Sequence, residues 1–180
     1  VILKTFEDSR MLEFCTPVIF GNVKILSFVK KSFESTSTLH GIDHLNQIIP
    51  GKINVLNVWK EGVDLNFGVN DENVGTYAIK SFTAATQALK EGKVDVLVTA
   101  PINKYNIQSD TFKFPGHTDY LAQELEGDAL MFMVQDNLRV GLLTDHIPVS
   151  EVASHLTEAL ITKKIETIKQ SLIQDFSINK

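Results

Sequence analysis

Polar groups stand where apolar runs of this chain end: Asn103 and Lys104 after residues 94–99, His117 and Asp119 after Pro115-Gly116, and Asp145 with His146 after residues 138–144. Neutral imidazole is a good ligand for zinc or a related divalent ion, and catalytic metal sites usually take three protein ligands. His117 and His146 supply two. A lysine ammonium such as that of Lys104 can neutralise a phosphate or handle a proton. The carboxylates of Asp119 and Asp145 can orient an imidazole as outer acceptors, or simply close a turn. On spacing alone, two histidines far apart in sequence are more simply explained as surface or hydrogen-bonded core residues. A loop lysine is ordinarily just solvated, so both readings stay open at this point.

The elements that must position these groups read as α/β. In an open α/β sheet the ligand crevice lies outside the carboxyl ends of the strands. Residues 94–99 and 138–144 have the β-branched and aliphatic make-up of buried strands. Before the first of them, Asn70-Asp71-Glu72-Asn73 is rich in N-cap residues, and Val74, Ala78, Phe82, Ala85 and Leu89 form an apolar stripe that Glu91-Gly92 stops. Further upstream, residues 16–21 read as a strand, and Asn22 can cap a helix carrying Val23, Ile25, Leu26 and Val29. The polar patch 35–38 is expected as a surface connection. Residues 52–59 read as another strand, with Ile53 and Val55 inward and Asn54 and Asn57 on the other face. Trp59 is read as a packing residue.

Downstream, Pro115-Gly116 makes a turn into a short helix over 118–126. Residues 129–134 and 138–144 form a hairpin about Gln135-Asp136-Asn137, with Arg139 a solvent-facing charge, and 157–176 form a long amphipathic helix with Ile161, Ile165, Ile168, Leu172 and Phe176 on one stripe. The expected fold class is a mixed, largely parallel sheet with flanking helices.

Two further histidine groupings deserve weighing. His40 and His44 stand four apart, as two ligands on one helix would, but Gly41 and Asp43 interrupt a regular helix and a solvated loop is the simpler reading. His155 is a rival ligand, or a helix-surface histidine with no special role.

Bulk properties exclude other classes. The chain has 180 residues, a net charge of -5 and 22% charged residues, which argues against an extended nucleic-acid surface. No apolar run approaches the roughly 20 residues that span a bilayer, and the lone Cys15 permits no internal disulfide. A soluble, cytoplasmic protein is expected. No G-x-G-x-x-G or P-loop pattern supports nucleotide binding. A start at Val1 and a stop just after a helix suggest that residues 1–180, read as a single α/β region, are part of a longer chain.

Three stretches, Thr99-Ala100-Pro101-Ile102-Asn103-Lys104, Pro115-Gly116-His117-Thr118-Asp119 and Thr144-Asp145-His146-Ile147-Pro148, together resemble the 4-hydroxythreonine-4-phosphate dehydrogenase family of pyridoxine biosynthesis. The resemblance is strongest over residues 70–155 and weak before Lys52. It implies a fold similar to isocitrate and isopropylmalate dehydrogenases, which bind their cofactor without the usual fingerprint. It also implies NAD or NADP as cofactor with no residue here assigned to it, a divalent metal (Zn, Mg or Co) on His117 and His146, a third histidine beyond Lys180, and a homodimer.

Asn103 and Lys104 match the substrate-contacting positions of the family, Lys104 also as a catalytic group, although many members carry His where this chain has Asn103. The implied reaction is oxidation of 4-phosphooxy-L-threonine to a β-keto acid that decarboxylates. Alternatives are a dehydrogenase of a related phosphorylated sugar acid such as 4-phospho-erythronate or threonate, a binding module without activity, and, less well matched, a phosphate acyltransferase. The family's glycine-rich opening turn is absent, so the 180-residue chain alone is expected to be inactive.

Overall fold

Asn22 shows how local sequence choices become architecture. Its carboxamide oxygen accepts from the backbone N–H groups of Lys24 and Ile25 at 2.9 and 3.2 Å, the N-cap geometry that starts helix α3 (Val23–Ser32). The Asn22 Nδ2 donates to the Trp59 carbonyl at 2.7 Å. One side chain thereby ties the start of that helix to the end of a strand. The computed structural model describes residues 1–109, 112–114 and 116–179. The expected turn at Pro115 therefore falls partly outside the described residues. The chain divides into two units, Val1–Glu124 and Leu125–Lys180.

In the first unit, short helices α1 (Ile2–Thr5) and α2 (Met11–Phe14) precede a parallel sheet of β1 (Val18–Gly21), β2 (Leu39–Ile42) and β3 (Ile53–Asn57), in the order β1-β3-β2. Val18 and Leu39 lie opposite Asn54 and Ile53 respectively. β3 is central and carries the buried apolar residues Ile53 and Val55, as its alternation predicts, while Ile42 is buried on β2. Helix α4 (Glu72–Lys90) follows, capped by Asp71, whose carboxylate accepts from the Asn73 and Val74 amides. The Ser81 hydroxyl of α4 donates to the Phe20 carbonyl of β1. Helix α5 (His117–Glu124) completes this unit.

Four expectations change. β2 was not expected as a strand: a run containing His40 and Gly41 lacks β-propensity, yet its backbone satisfies an edge of β3. His40 is consequently in a strand and His44 caps a 3-10 turn, so no shared helix brings them together. Ser35 and Ser37, expected at the surface, are buried, with their hydroxyls bonded to each other and Ser37 donating to the Leu3 carbonyl. Residues 94–99, expected as a strand, form none. Val96 and Val98 stay 73% and 87% exposed. A β-branched run becomes a strand only against a partner ladder, and no described segment pairs with this one.

The second unit is built on the expected hairpin, β4 (Phe132–Gln135) with β5 (Leu138–Gly141), antiparallel and turning through Asp136 at φ 48°. A short α6 (Val152–His155) leads to α7 (Glu158–Gln174), capped by the Thr157 hydroxyl. Only the later part of the α7 stripe finds cover. Ile168 meets Gly141, where a β-carbon would come within 2.8 Å of its Cδ1, and Phe176 beyond the helix meets Phe132 at 6.0 Å between ring centroids. A two-stranded ribbon is too narrow for the rest, and Ile161 and Ile165 remain exposed. Arg139, expected in solvent, lies with its guanidinium 4.5 Å from the Phe176 ring centroid. No described helix is long and apolar enough to cross a membrane.

Asn54 is the polar centre of the first sheet. At 0% exposure, its Nδ2 donates to the carbonyls of Lys52, Ile49 and Pro17, and its oxygen accepts from the Ile49 amide at 2.9 Å. Asn54→Leu keeps the volume and strands several of these groups, so it should cost about 3 kcal/mol. Urea unfolding checks this, and an unchanged midpoint would contradict the assigned role.

Candidate active site

Phe82, on the face of α4 turned away from solvent, gathers the site. Phe82, Ile107 and Phe112 form a buried cluster against which Ala78, Ile79, Leu97, Ile102, Phe114, Tyr120 and Leu121 pack. The segments on either side of Asn103 and Lys104, and the helix begun by His117, are thus anchored on one ring. The His117 imidazole stands edge-on to Phe82, 4.8 Å between centroids at 78°, and Tyr120 packs on the same ring at 4.9 Å. His117, expected just ahead of a helix over 118–126, is the first residue of α5.

Asn103 opens a single helical turn. Its Oδ1 accepts from the Tyr105 and Asn106 amides at 3.0 and 3.2 Å, and its carbonyl accepts from the Ile107 amide. This is N-cap geometry, for which asparagine is among the best residues. The position thus has a local structural use for Asn besides any contact with a ligand. Its Nδ2 donates to Asn70 Oδ1 at 2.9 Å.

Lys104, the next residue, reaches toward Gly116: a β-carbon on that glycine would lie 3.9 Å from the Lys104 ammonium. The structure therefore brings Asn103, Lys104, Gly116 and His117 into one neighbourhood. Burial first, and the Lys104 charge second, hold the His117 imidazole below its ordinary pKa. A neutral imidazole with an available lone pair is the form that binds a cation.

The remaining candidates are described each within its own unit. His146, in the second unit, is exposed and adopts the left-handed conformation at φ 52°, a region in which histidine is enriched among non-glycine residues. His155 contacts the Glu151 carbonyl on its own turn, at 2.8 Å from Nδ1. Asp119 lies in the first turn of α5, and Asp145 is exposed beside His146. Among the described residues no group of three or more His, Cys, Asp or Glu side chains is arranged to hold a metal. The donors fit a divalent ion in kind, two imidazoles with one poised neutral, but these residues do not by themselves build the full ligand set. An open hollow of about 590 Å³ beside Trp59, Lys80 and Tyr120 includes none of the expected site residues; Trp59 itself packs on Tyr77, 5.0 Å between centroids.

Sequence reasoning missed Asn70 and Gly75. Asn70 read as one of several cap residues, and nothing in its spacing points to Asn103. Gly75 did carry a signal, because a glycine inside a helix costs about 1 kcal/mol relative to alanine and so asks for a packing reason. The reason is close approach: a β-carbon there would overlap the Asn106 carbonyl, coming within 2.5 Å of its carbon.

With this geometry in place, comparison with known proteins is informative. The profile of the pyridoxal phosphate biosynthetic protein PdxA matches residues 13–180. A 4-hydroxythreonine-4-phosphate dehydrogenase of Bacteroides thetaiotaomicron is 38% identical over 180 residues, covering 99% of this chain and 50% of the relative. A putative D-threonate 4-phosphate dehydrogenase of Fusobacterium nucleatum is 27% identical, covering 97% of this chain and 54% of the relative. The crystal structure of a 4-hydroxythreonine-4-phosphate dehydrogenase from Burkholderia phymatum superposes with a TM-score of 0.84 at 25% identity, over 96% of this chain and 53% of that one. The chain spans about half the length of these relatives. The expected isocitrate dehydrogenase-like α/β class agrees with this structural match.

Two outcomes test the site. Gly75→Ala should lower the thermal midpoint although alanine is the better helix former, and should shift the NMR signals of Asn103 and Lys104; a raised midpoint would refute the close-approach argument. Lys104→Met should raise the His117 pKa toward its ordinary value of about 6.5, read by NMR titration of the ring. Because the folded-state pKa is depressed, the unfolded chain binds more protons in the window below about 6.5. His117 there makes stability fall as pH falls, and Lys104→Met should shallow that fall.

Proposed function

The chain belongs to the PdxA family of pyridoxal phosphate biosynthetic proteins, and from that premise we propose that the intact protein oxidises 4-phosphooxy-L-threonine with NAD or NADP. The secondary alcohol would lose its hydride to the nicotinamide and its hydroxyl proton to the site. The product, 2-amino-3-oxo-4-phosphooxybutanoate, would then decarboxylate on the way to pyridoxal 5'-phosphate. The observation that carries this reading is the gathering of Asn103, Lys104 and His117 around Gly116 and Phe82. It joins phosphate-neutralising charge to a metal-competent imidazole.

In this reading the Lys104 ammonium neutralises the substrate phosphate, its alternative use being to handle a proton, while Asn103 offers the phosphate an N–H donor. The Asn103 amide cannot titrate, so binding through this position is insensitive to pH where a histidine would not be. His117 and His146 would hold a divalent ion, with a further ligand supplied by the longer protein. Bound there, such an ion supplies Lewis-acid polarisation of the reacting oxygen. Hydride chemistry belongs to the nicotinamide, and the protein's task is alignment. The protein would act as a cytoplasmic homodimer.

A second reading, oxidation of a phosphorylated sugar acid, is favoured by the likeness to the putative D-threonate 4-phosphate dehydrogenase. The full-length protein, supplied in turn with zinc, magnesium or cobalt, should reduce NAD or NADP in the presence of 4-phosphooxy-L-threonine, followed by absorbance of the reduced cofactor. Turnover of D-threonate 4-phosphate alone would select the second reading. The His117→Ala, His146→Ala double variant should lose bound metal; retention of metal at wild-type stoichiometry would remove both histidines from the ligand set.

A further inference from the structure

The Asn70–Asn103 contact determines more than one bond. Both N–H groups that Asn103 Oδ1 accepts are main-chain donors, so the oxygen assignment of this carboxamide is forced. Its nitrogen then faces Asn70, which must present its own oxygen. By valence, one Asn103 N–H and both Asn70 N–H groups are left uncommitted among the described residues. Lys104 follows directly in sequence and has no carboxylate partner among them. The nearest acidic side chain in sequence, Asp71, spends a carboxylate oxygen on the α4 cap.

Resting on the reading that Asn103 and Lys104 receive the substrate's phosphate, we propose that Asn70 is a positioning and specificity-determining residue for that group. Its oxygen holds one N–H of the Asn103 amide, whose orientation the loop cap fixes, and its own NH2 joins Asn103 and Lys104 in a donor set for a phosphate monoester. The set offers neutral N–H donors plus one cation, a combination that takes a tetrahedral dianion and repels none of its oxygens. Asn70 precedes the Asp71 cap, so replacing it leaves the cap of α4 in place.

Two variants of the full-length protein separate positioning from mere structure. Asn70→Ala removes both acceptor and donors. Asn70→Asp keeps the acceptor for Asn103 but replaces the NH2 with a charged oxygen. Steady-state kinetics with 4-phosphooxy-L-threonine, and calorimetric titration with inorganic phosphate, are read side by side. Asn70→Ala should raise KM and the phosphate Kd about fivefold, with kcat within about twofold of wild type, the size expected for one lost hydrogen bond. Asn70→Asp should be worse still, tenfold or more by rough estimate, because a carboxylate opposes the phosphate.

An Asn70→Asp protein that behaves like wild type would reduce Asn70 to a structural acceptor and overturn the proposal. So would an unchanged KM and Kd in Asn70→Ala. If wild type does not turn over the substrate but its phosphate Kd still responds to both variants in this order, the donor set stands and the dehydrogenase reading fails. Turnover by wild type with neither variant affected leaves the dehydrogenase reading intact and removes Asn70. Absence of both turnover and phosphate binding in wild type overturns the two together.

Discussion

Burial of the Phe82 ring is the interaction on which the candidate site depends. Removing such a side chain from water contributes about 2 to 3 kcal/mol, and the ring's edge and face contacts with His117 and Tyr120 add direction to that burial. Segments that share no regular hydrogen-bond ladder, the loop bearing Asn103 and Lys104 and the helix bearing His117, are held near one another because each places an apolar neighbour on this ring. One residue earlier, Ser81 binds the Phe20 carbonyl. Helix α4 thereby joins the parallel sheet to the cluster that carries the polar groups.

The elements legible in the sequence were those whose signal is local. Asn22 caps the helix it was expected to cap, and one of the four cap-rich residues 70–73, Asp71, caps the next, because capping is decided within three residues. Strand β3 and the β4–β5 hairpin followed from alternation and a short turn. What was not legible depended on partners. β2 is a strand because β3 offers it a ladder, in spite of His40 and Gly41, and residues 94–99 have strand composition without a partner. Asn54 was given a face but no environment for the same reason: alternation gives a face, and only the packed sheet shows that this one is closed by Pro17, Ile49 and Lys52.

The candidate site divides in the same way. Residue types named Lys104, His117 and His146, and the three motifs supplied their assignment to a family. The sequence could not reveal that Asn103 spends its oxygen on its own loop, that Asn70 stands against it, or that Gly75 makes room for the loop to approach α4. The last two are relations across 30 or so residues of chain, created by packing rather than by spacing; the Asn103 cap is local, and its signal was hidden because no helix was expected to start there.

The cap made by Asn103 bears on how this protein could have changed over time. An imidazole in its place would lack the short carboxamide oxygen that here receives two main-chain amides. Exchanging one residue for the other would therefore alter the folding of the loop and the bond to Asn70 in a single step. Such a position is entrenched: the loop relies on asparagine and Asn70 is bonded to it, so a change to histidine would require accompanying replacements. A graft of this loop into a chain with another residue facing it should consequently succeed only when the residue facing Asn103 travels along.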